Sequence, residues 1–146
     1  MLGLETEHCL QRCAALHVLV VEDDPDMADS TMVLLNLHGH DATICRTGTA
    51  AVLAAELHRP DVVLLDLGLP GSMDGWQVAR QLCGLSGEKR PLIIAVSGYA
   101  DEEARRRSRE AGIDVHLAKP FEPAALFKFL ERFVAVLSGA TERATI

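Results

Sequence analysis

Strand-like and helix-like stretches alternate five times along the chain, and that alternation leaves few architectures open. Residues 16–21 (LHVLVV) form a short β-rich run, followed by Asp24 as an N-cap and Pro25 in a first helical turn. That helix continues through Met27, Thr31, Leu34 and Leu35 to a stop at Gly39. A weaker strand spans 42–45, a small-residue helix 48–57 (GTAAVLAAEL), and Pro60 ends the latter. The third unit pairs strand 62–65 with helix 75–85, and the fourth pairs strand 92–96 (LIIAV) with a helix opened by Asp101, Glu102 and Glu103 and closed at Gly112. Strand 115–118 and a helix running from Pro123 to Leu137 complete the series. Five β-α units with short connections imply an α/β fold, with a parallel five-stranded sheet and helices on both faces.

In such sheets ligands bind outside the carboxyl ends of the strands, near a topological switch point. The chemistry of this chain collects there. The run VVLLDLGLPG carries four branched apolar residues straight into Asp66, a poor strand residue whose charge is costly to bury unpaired. The first strand ends in Glu22-Asp23-Asp24, the fourth in Ser97-Gly98, and the fifth in Lys119-Pro120. If the first and third strands are neighbours, Glu22, Asp23 and Asp66 repel one another unless a cation joins them. Oxygen-only donors select a hard ion such as Mg²⁺. Magnesium beside a carboxylate, a lysine and a hydroxyl is an arrangement for phosphoryl transfer. The carboxylate is then the nucleophile, with Lys119 offsetting charge on the phosphoryl oxygens and Ser97 donating a hydrogen bond to one of them.

Composition removes several classes. The 146 residues fit one domain and are 49% apolar, enough for a substantial core, yet no apolar run approaches the length of a membrane span. The N-terminus MLGLETEHCLQRC lacks a signal-peptide pattern, so the expectation is a cytoplasmic protein. A net charge of −7 argues against direct nucleic-acid binding. Cys9, Cys13, Cys45 and Cys83 form no metal or disulfide framework and read as reduced thiols.

The motifs VLVVEDD (18–24), VVLLDLGLPG (62–71), MDG (73–75), AVSG (95–98) and AKPF (118–121) resemble, in order, those of the receiver domains of two-component response regulators. The resemblance covers residues 17–137, leaving 1–16 as an extension or linker and 138–146 as a tail. It implies a flavodoxin-like fold with strand order 2-1-3-4-5. It makes Asp66 the phosphoacceptor and Glu22 and Asp23 the acidic pair for Mg²⁺, with the Gly68 carbonyl a further ligand. Ser97 matches the switch hydroxyl and Lys119 the phosphate-binding lysine, ahead of a cis peptide to Pro120. The implied phosphodonor is a histidine kinase or histidine phosphotransfer protein. The implied output is a downstream protein read through the face built from the fourth and fifth strands and helices. Such a protein is not an enzyme beyond its own phosphorylation and dephosphorylation.

The chain departs from the family pattern at three places. The loop Pro70-Gly71-Ser72-Met73-Asp74-Gly75 is one residue longer than the common form. His116 stands where the aromatic switch residue is usually Tyr or Phe, which implies a weaker or pH-dependent switch. Residues 1–16 have no counterpart. In similar receivers the positions two after the phosphoacceptor and two after the switch hydroxyl tune hydrolysis; here they are Gly68 and Tyr99, and slow dephosphorylation is expected. A rival function is a receiver-like binding module that signals without phosphorylation. Only SGATERATI follows Leu137, too short for an effector domain. Among other charged residues, Asp24 reads as a helix cap, and His38 and His40 as surface residues. Arg105, Arg106, Arg107 and Arg109 read as a solvated face, neutralised in part by pairs Glu102–Arg106 and Glu103–Arg107, with Ala104, Ser108 and Ala111 on the sheet side.

Overall fold

The computed structural model describes residues 15–85, 90–98 and 101–137. They fall into two compact units, 15–119 and 120–137. The first holds β1 (His17–Val21), α1 (Pro25–Leu37), β2 (Asp41–Cys45), α2 (Gly48–His58), β3 (Val62–Asp66), α3 (Gly75–Cys83), β4 (Leu92–Ser97), α4 (Glu102–Glu110) and β5 (Val115–Ala118). The second contains α5 (Pro123–Leu137), whose Leu126, Phe127 and Leu130 are buried.

All four strand pairings are parallel, in the order β2-β1-β3-β4-β5. The chain steps from β1 outward to β2 and then reverses through β3, β4 and β5. With right-handed crossovers, that reversal puts α1 on one face and α2, α3 and α4 on the other. The reversal between β1 and β3 is the switch point of a flavodoxin-like fold. Side chains alternate accordingly. Leu19, Val21, Val63, Leu65, Ile93 and Ala95 join Ala51, Ala55, Val78, Ala79 and Leu82 of α2 and α3 in one buried cluster. Every residue of β3 is buried, as a central strand covered on both faces requires.

The helix starts are set locally. Asp24 accepts from the Asp26 N–H at 3.1 Å, so its role as a cap is borne out. Thr47 caps α2, and Asp74 and Gln77 form a reciprocal capping box on α3. Asp101 accepts from the Ala104 N–H at 2.8 Å. Gly112, which follows α4, has φ of +88°, a left-handed conformation that glycine adopts without steric cost.

Two carboxylates organise the opposite rim of the sheet. Asp61, just before β3, accepts from the His17 N–H of β1 at 2.8 Å. Asp114, just before β5, accepts from the Ile93 N–H of β4 at 2.8 Å and holds Arg90. Each ties an amide at the start of a neighbouring strand, the first of β1 and the second of β4, to the turn beside it.

Several local expectations shift. β1 begins at His17 rather than Leu16, β2 begins one residue earlier at Asp41, and α3 ends at Cys83. His40 is not a surface residue: it is half-buried, and its Nδ1 accepts from the Leu16 N–H at 3.1 Å. Burial, with His38 nearby, holds its pKa below the ordinary histidine value. On α4 the ion pairs are Arg106 with Glu103 and with Glu110, not Glu102–Arg106 and Glu103–Arg107. Arg107 instead stacks over the Trp76 ring, 3.9 Å from its centroid. The small face of Ala104, Ser108 and Ala111 is buried as expected. Cys45 and Cys83 are free thiols; Cys9 and Cys13 lie outside the described residues. No described helix is long and apolar enough to cross a membrane.

Candidate functional site

The parallel register assembles the site. Val21 of β1 is level with Leu65 of β3, so the next residues, Glu22 and Asp66, leave adjacent strands side by side. Asp66 is level with Val96 of β4, which puts Ser97 one residue beyond it, and Ser97 is level with Ala118, which precedes Lys119. A backbone hydrogen bond from Lys119 N–H to the Ser97 carbonyl, 2.8 Å long, closes the edge on that side. The site therefore forms where four neighbouring strands of the sheet end, on their last residues and the first residues beyond them.

Among the described residues, the buried polar side chains are Glu22, Asp66, Ser97 and Ser108, and the first three belong to this edge. Their burial needs compensation. Asp66 Oδ1 accepts from the Gly68 N–H at 2.9 Å, and Oδ2 lies 3.3 Å from Lys119 Nζ. Lys119 also approaches Glu22 Oε1 at 3.8 Å. A carboxylate oxygen of Glu22 and one of Asp66 lie within 4.8 Å of each other, so the ionisation of each bears on the other.

Glu22 is the member of the pair whose ionisation is disfavoured. Burial first, and then the hydrogen bond and negative charge of Asp66, push the Glu22 pKa from 4.5 to about 8. Burial also works against ionisation of Asp66, but the hydrogen bonds from Glu22 and Gly68 and the charge of Lys119 outweigh it and lower its pKa. Asp66 is thus an ionised, oriented carboxylate at neutral pH, as a nucleophile must be. The sequence suggested a cation as the remedy for crowded acids; the Lys119 ammonium, 3.3 Å from Asp66 and 3.8 Å from Glu22, supplies part of the same compensation.

The donor set still suits a metal. One carboxylate oxygen from each of Glu22, Asp23 and Asp66 lies within 4.8 Å of the others, and Asp23 is exposed at the mouth. All three donors are oxygens, and a hard divalent cation would neutralise the crowded negative charge that adds to burial in raising the Glu22 pKa. Asp24 is not in this group. Gly68 lies two residues beyond Asp66 and has room around its Cα, the nearest atom to an added Cβ being Asp66 Oδ1 at 3.6 Å. His116 sits in mid-β5, half-buried, with Nδ1 3.2 Å from Ser108 Oγ. Tyr99 lies outside the described residues. Sequence reasoning missed the link from Trp76 to Ser108, 3.1 Å between Nε1 and Oγ, because the two residues are 32 positions apart.

Comparison with known proteins bears on this edge. The family model for the response regulator receiver domain matches residues 18–131. The chain belongs to this family. It is 35% identical over 128 residues to the transcriptional regulatory protein KdpE of Mycobacterium tuberculosis, covering 88% of this chain and 52% of that protein. It is 38% identical over 109 residues to the DNA-binding response regulator MtrA of Mycolicibacterium smegmatis, covering 75% of this chain and 46% of that protein. The chain thus spans about half the length of these curated relatives. Among solved structures, the receiver domain of a sensor histidine kinase from Pseudomonas aeruginosa PAO1 is 32% identical, with a TM-score of 0.75 over 83% of this chain and 98% of that one. That structure is described with magnesium coordinated in the active-site cleft. The receiver identity and the flavodoxin-like fold expected from the motifs both hold.

Proposed function

We propose that this receiver domain, spanning residues 17–137, takes a phosphoryl group onto Asp66 from a cytoplasmic histidine kinase or histidine phosphotransfer protein. The observation that carries this reading is the ionised Asp66 carboxylate, fixed by Gly68 N–H on one oxygen and Lys119 on the other. Fixing both oxygens limits the nucleophile's orientational freedom before the donor arrives. The carboxylate oxygen forms a bond to phosphorus as the donor's phosphorus–nitrogen bond breaks, and the electron pair leaves on the imidazole nitrogen. Lys119 then offsets the charge that Asp66 gains, and the buried Ser97 hydroxyl is placed to donate to a phosphoryl oxygen. Mg²⁺, held by Glu22, Asp23, Asp66 and the Gly68 carbonyl, would supply further charge neutralisation when bound. The chain would catalyse only its own phosphorylation and dephosphorylation.

Output then runs through β4, α4 and β5 to a protein target. The net charge of −7 supports a protein rather than nucleic acid as the direct contact of this domain.

Incubation with a small phosphodonor and Mg²⁺ tests the reading. One acid-labile, hydroxylamine-sensitive phosphoryl group should appear, and Asp66→Asn should abolish it. Undiminished labelling of that variant refutes Asp66 as the acceptor. A parent chain that takes no phosphoryl group from any donor favours the binding-module reading instead.

A further inference from the structure

Ser108 is the buried polar residue that the phosphoacceptor site does not use; it is 2% exposed and sits in mid-α4. The indole Nε1–H of Trp76, on α3, donates to Ser108 Oγ at 3.1 Å. An indole N–H can only donate, so the serine oxygen is the acceptor and its own hydrogen is left to donate elsewhere. His116 Nδ1, on β5, lies 3.2 Å from the same oxygen and accepts it when unprotonated. The result is a directed chain, Trp76 to Ser108 to His116, joining α3, α4 and β5. Arg107, the residue before Ser108, lies flat over the Trp76 ring at 3.9 Å.

The rest of α4 offers little else to hold it. Its other buried residue is Ala104, and the adjoining cap is Ala111, so a few methyl groups are all the apolar surface it anchors. Arg106 pairs with Glu103 and with Glu110, both on the same helix. A helix with so small an apolar footing depends on its polar contacts: the Cys83 thiol reaches the carbonyl of the Ala111 cap at 3.7 Å, and within the helix itself the contacts of Arg107 and Ser108 meet at Trp76.

We infer that Trp76, Ser108 and His116 form a latch that docks α4 on α3 and β5 and lets it release as a unit while the sheet stays folded. Trp76 and Ser108 are positioning residues here. The inference does not rest on phosphorylation of Asp66, because the latch is a property of the unmodified chain.

Amide hydrogen exchange on the full chain tests it. Trp76→Phe keeps a ring beneath Arg107 but removes the N–H, and Ser108→Ala removes the hydroxyl. Each should speed exchange of the α4 amides about fivefold while leaving β1 and β3 unchanged. The double variant should match either single one, since both break the same chain. Trp76 is the only tryptophan, so Ser108→Ala should also raise its accessibility to a soluble quencher. Exchange that rises equally in every element, effects that multiply in the double variant, or unchanged α4 rates and quenching would each overturn the latch.

Discussion

Raising the pH should destabilise this protein in the absence of metal, through Glu22. The unfolded glutamate ionises near 4.5, whereas the folded one holds its proton to about 8. Between those values the native state carries a proton that the unfolded state lacks, so unfolding releases one and stability falls as pH rises. The slope for one proton is about 1.4 kcal/mol per pH unit. His40 works in the opposite sense lower down. Its pKa is lowered from 6.5 in the folded state, so it costs stability as pH falls below that value. Asp66, also lowered, loses its contribution only at more acid pH. The window from pH 6.5 to 8 is therefore left to Glu22. Across it the loss should be about 1.5–2 kcal/mol, allowing for partial ionisation near the upper end. Urea unfolding in EDTA at pH 6.5, 7.2 and 8.0, followed by circular dichroism, should show the midpoint falling by about 1 M. Glu22→Gln should remove the slope. Mg²⁺ should flatten or reverse it, because the cation competes with that proton for the same oxygens. Equal stability at pH 6.5 and 8.0 in EDTA, or an unchanged slope in Glu22→Gln, would refute this account of Glu22.

Two glycines near Asp66 should behave oppositely. An added Cβ at Gly75 would lie 2.5 Å from Leu67 Cα and 2.8 Å from the Asp66 carbonyl oxygen, so Gly75→Ala should cost roughly 3 kcal/mol in denaturant unfolding; a loss under about 0.5 kcal/mol contradicts the close approach. Gly68→Asn meets only ordinary contact and should change stability by less than about 1 kcal/mol. On the proposed phosphoacceptor reading it should also speed loss of phosphate by offering an amide that orients a water, which phosphate release after removal of the donor measures; an unaltered rate removes Gly68 from the control of hydrolysis.

Much of this architecture is legible in the chain because its strands are short apolar runs closed by punctuating residues. VVLLD announces a doubly covered strand, and Asp24, Thr47, Asp74 and Asp101 cap helices whose starts the sequence nearly places. β2 was less visible at its start because Asp41 is a weak strand former that pairing with His17 recruits. The acidic residues and Lys119 could be assigned to one edge by strand order alone. Their ionisation could not, since it depends on burial and on the approach of residues 44 positions apart, Glu22 and Asp66. The same holds for Arg107 and His40. Charge spacing on α4 suggested ion pairs along the helix, but a ring on α3 captured Arg107, and the amide of Leu16 drew His40 inward. Local pattern locates elements and caps; contacts between distant segments are set by the packing.

The carboxylates of Asp61 and Asp114 give the sheet a mechanical polarity. Each pins the entry of a neighbouring strand, so the amino-terminal rim is stitched together by side chains as well as by the ladder. At the carboxyl-terminal rim the titratable groups Glu22, Asp66 and Lys119 take that place, with Lys119 3.3 Å from Asp66 and 3.8 Å from Glu22. The two rims therefore differ in kind: carboxylates on backbone amides fix the amino-terminal one, whereas the carboxyl-terminal one holds charges that an arriving cation or phosphoryl group would rebalance.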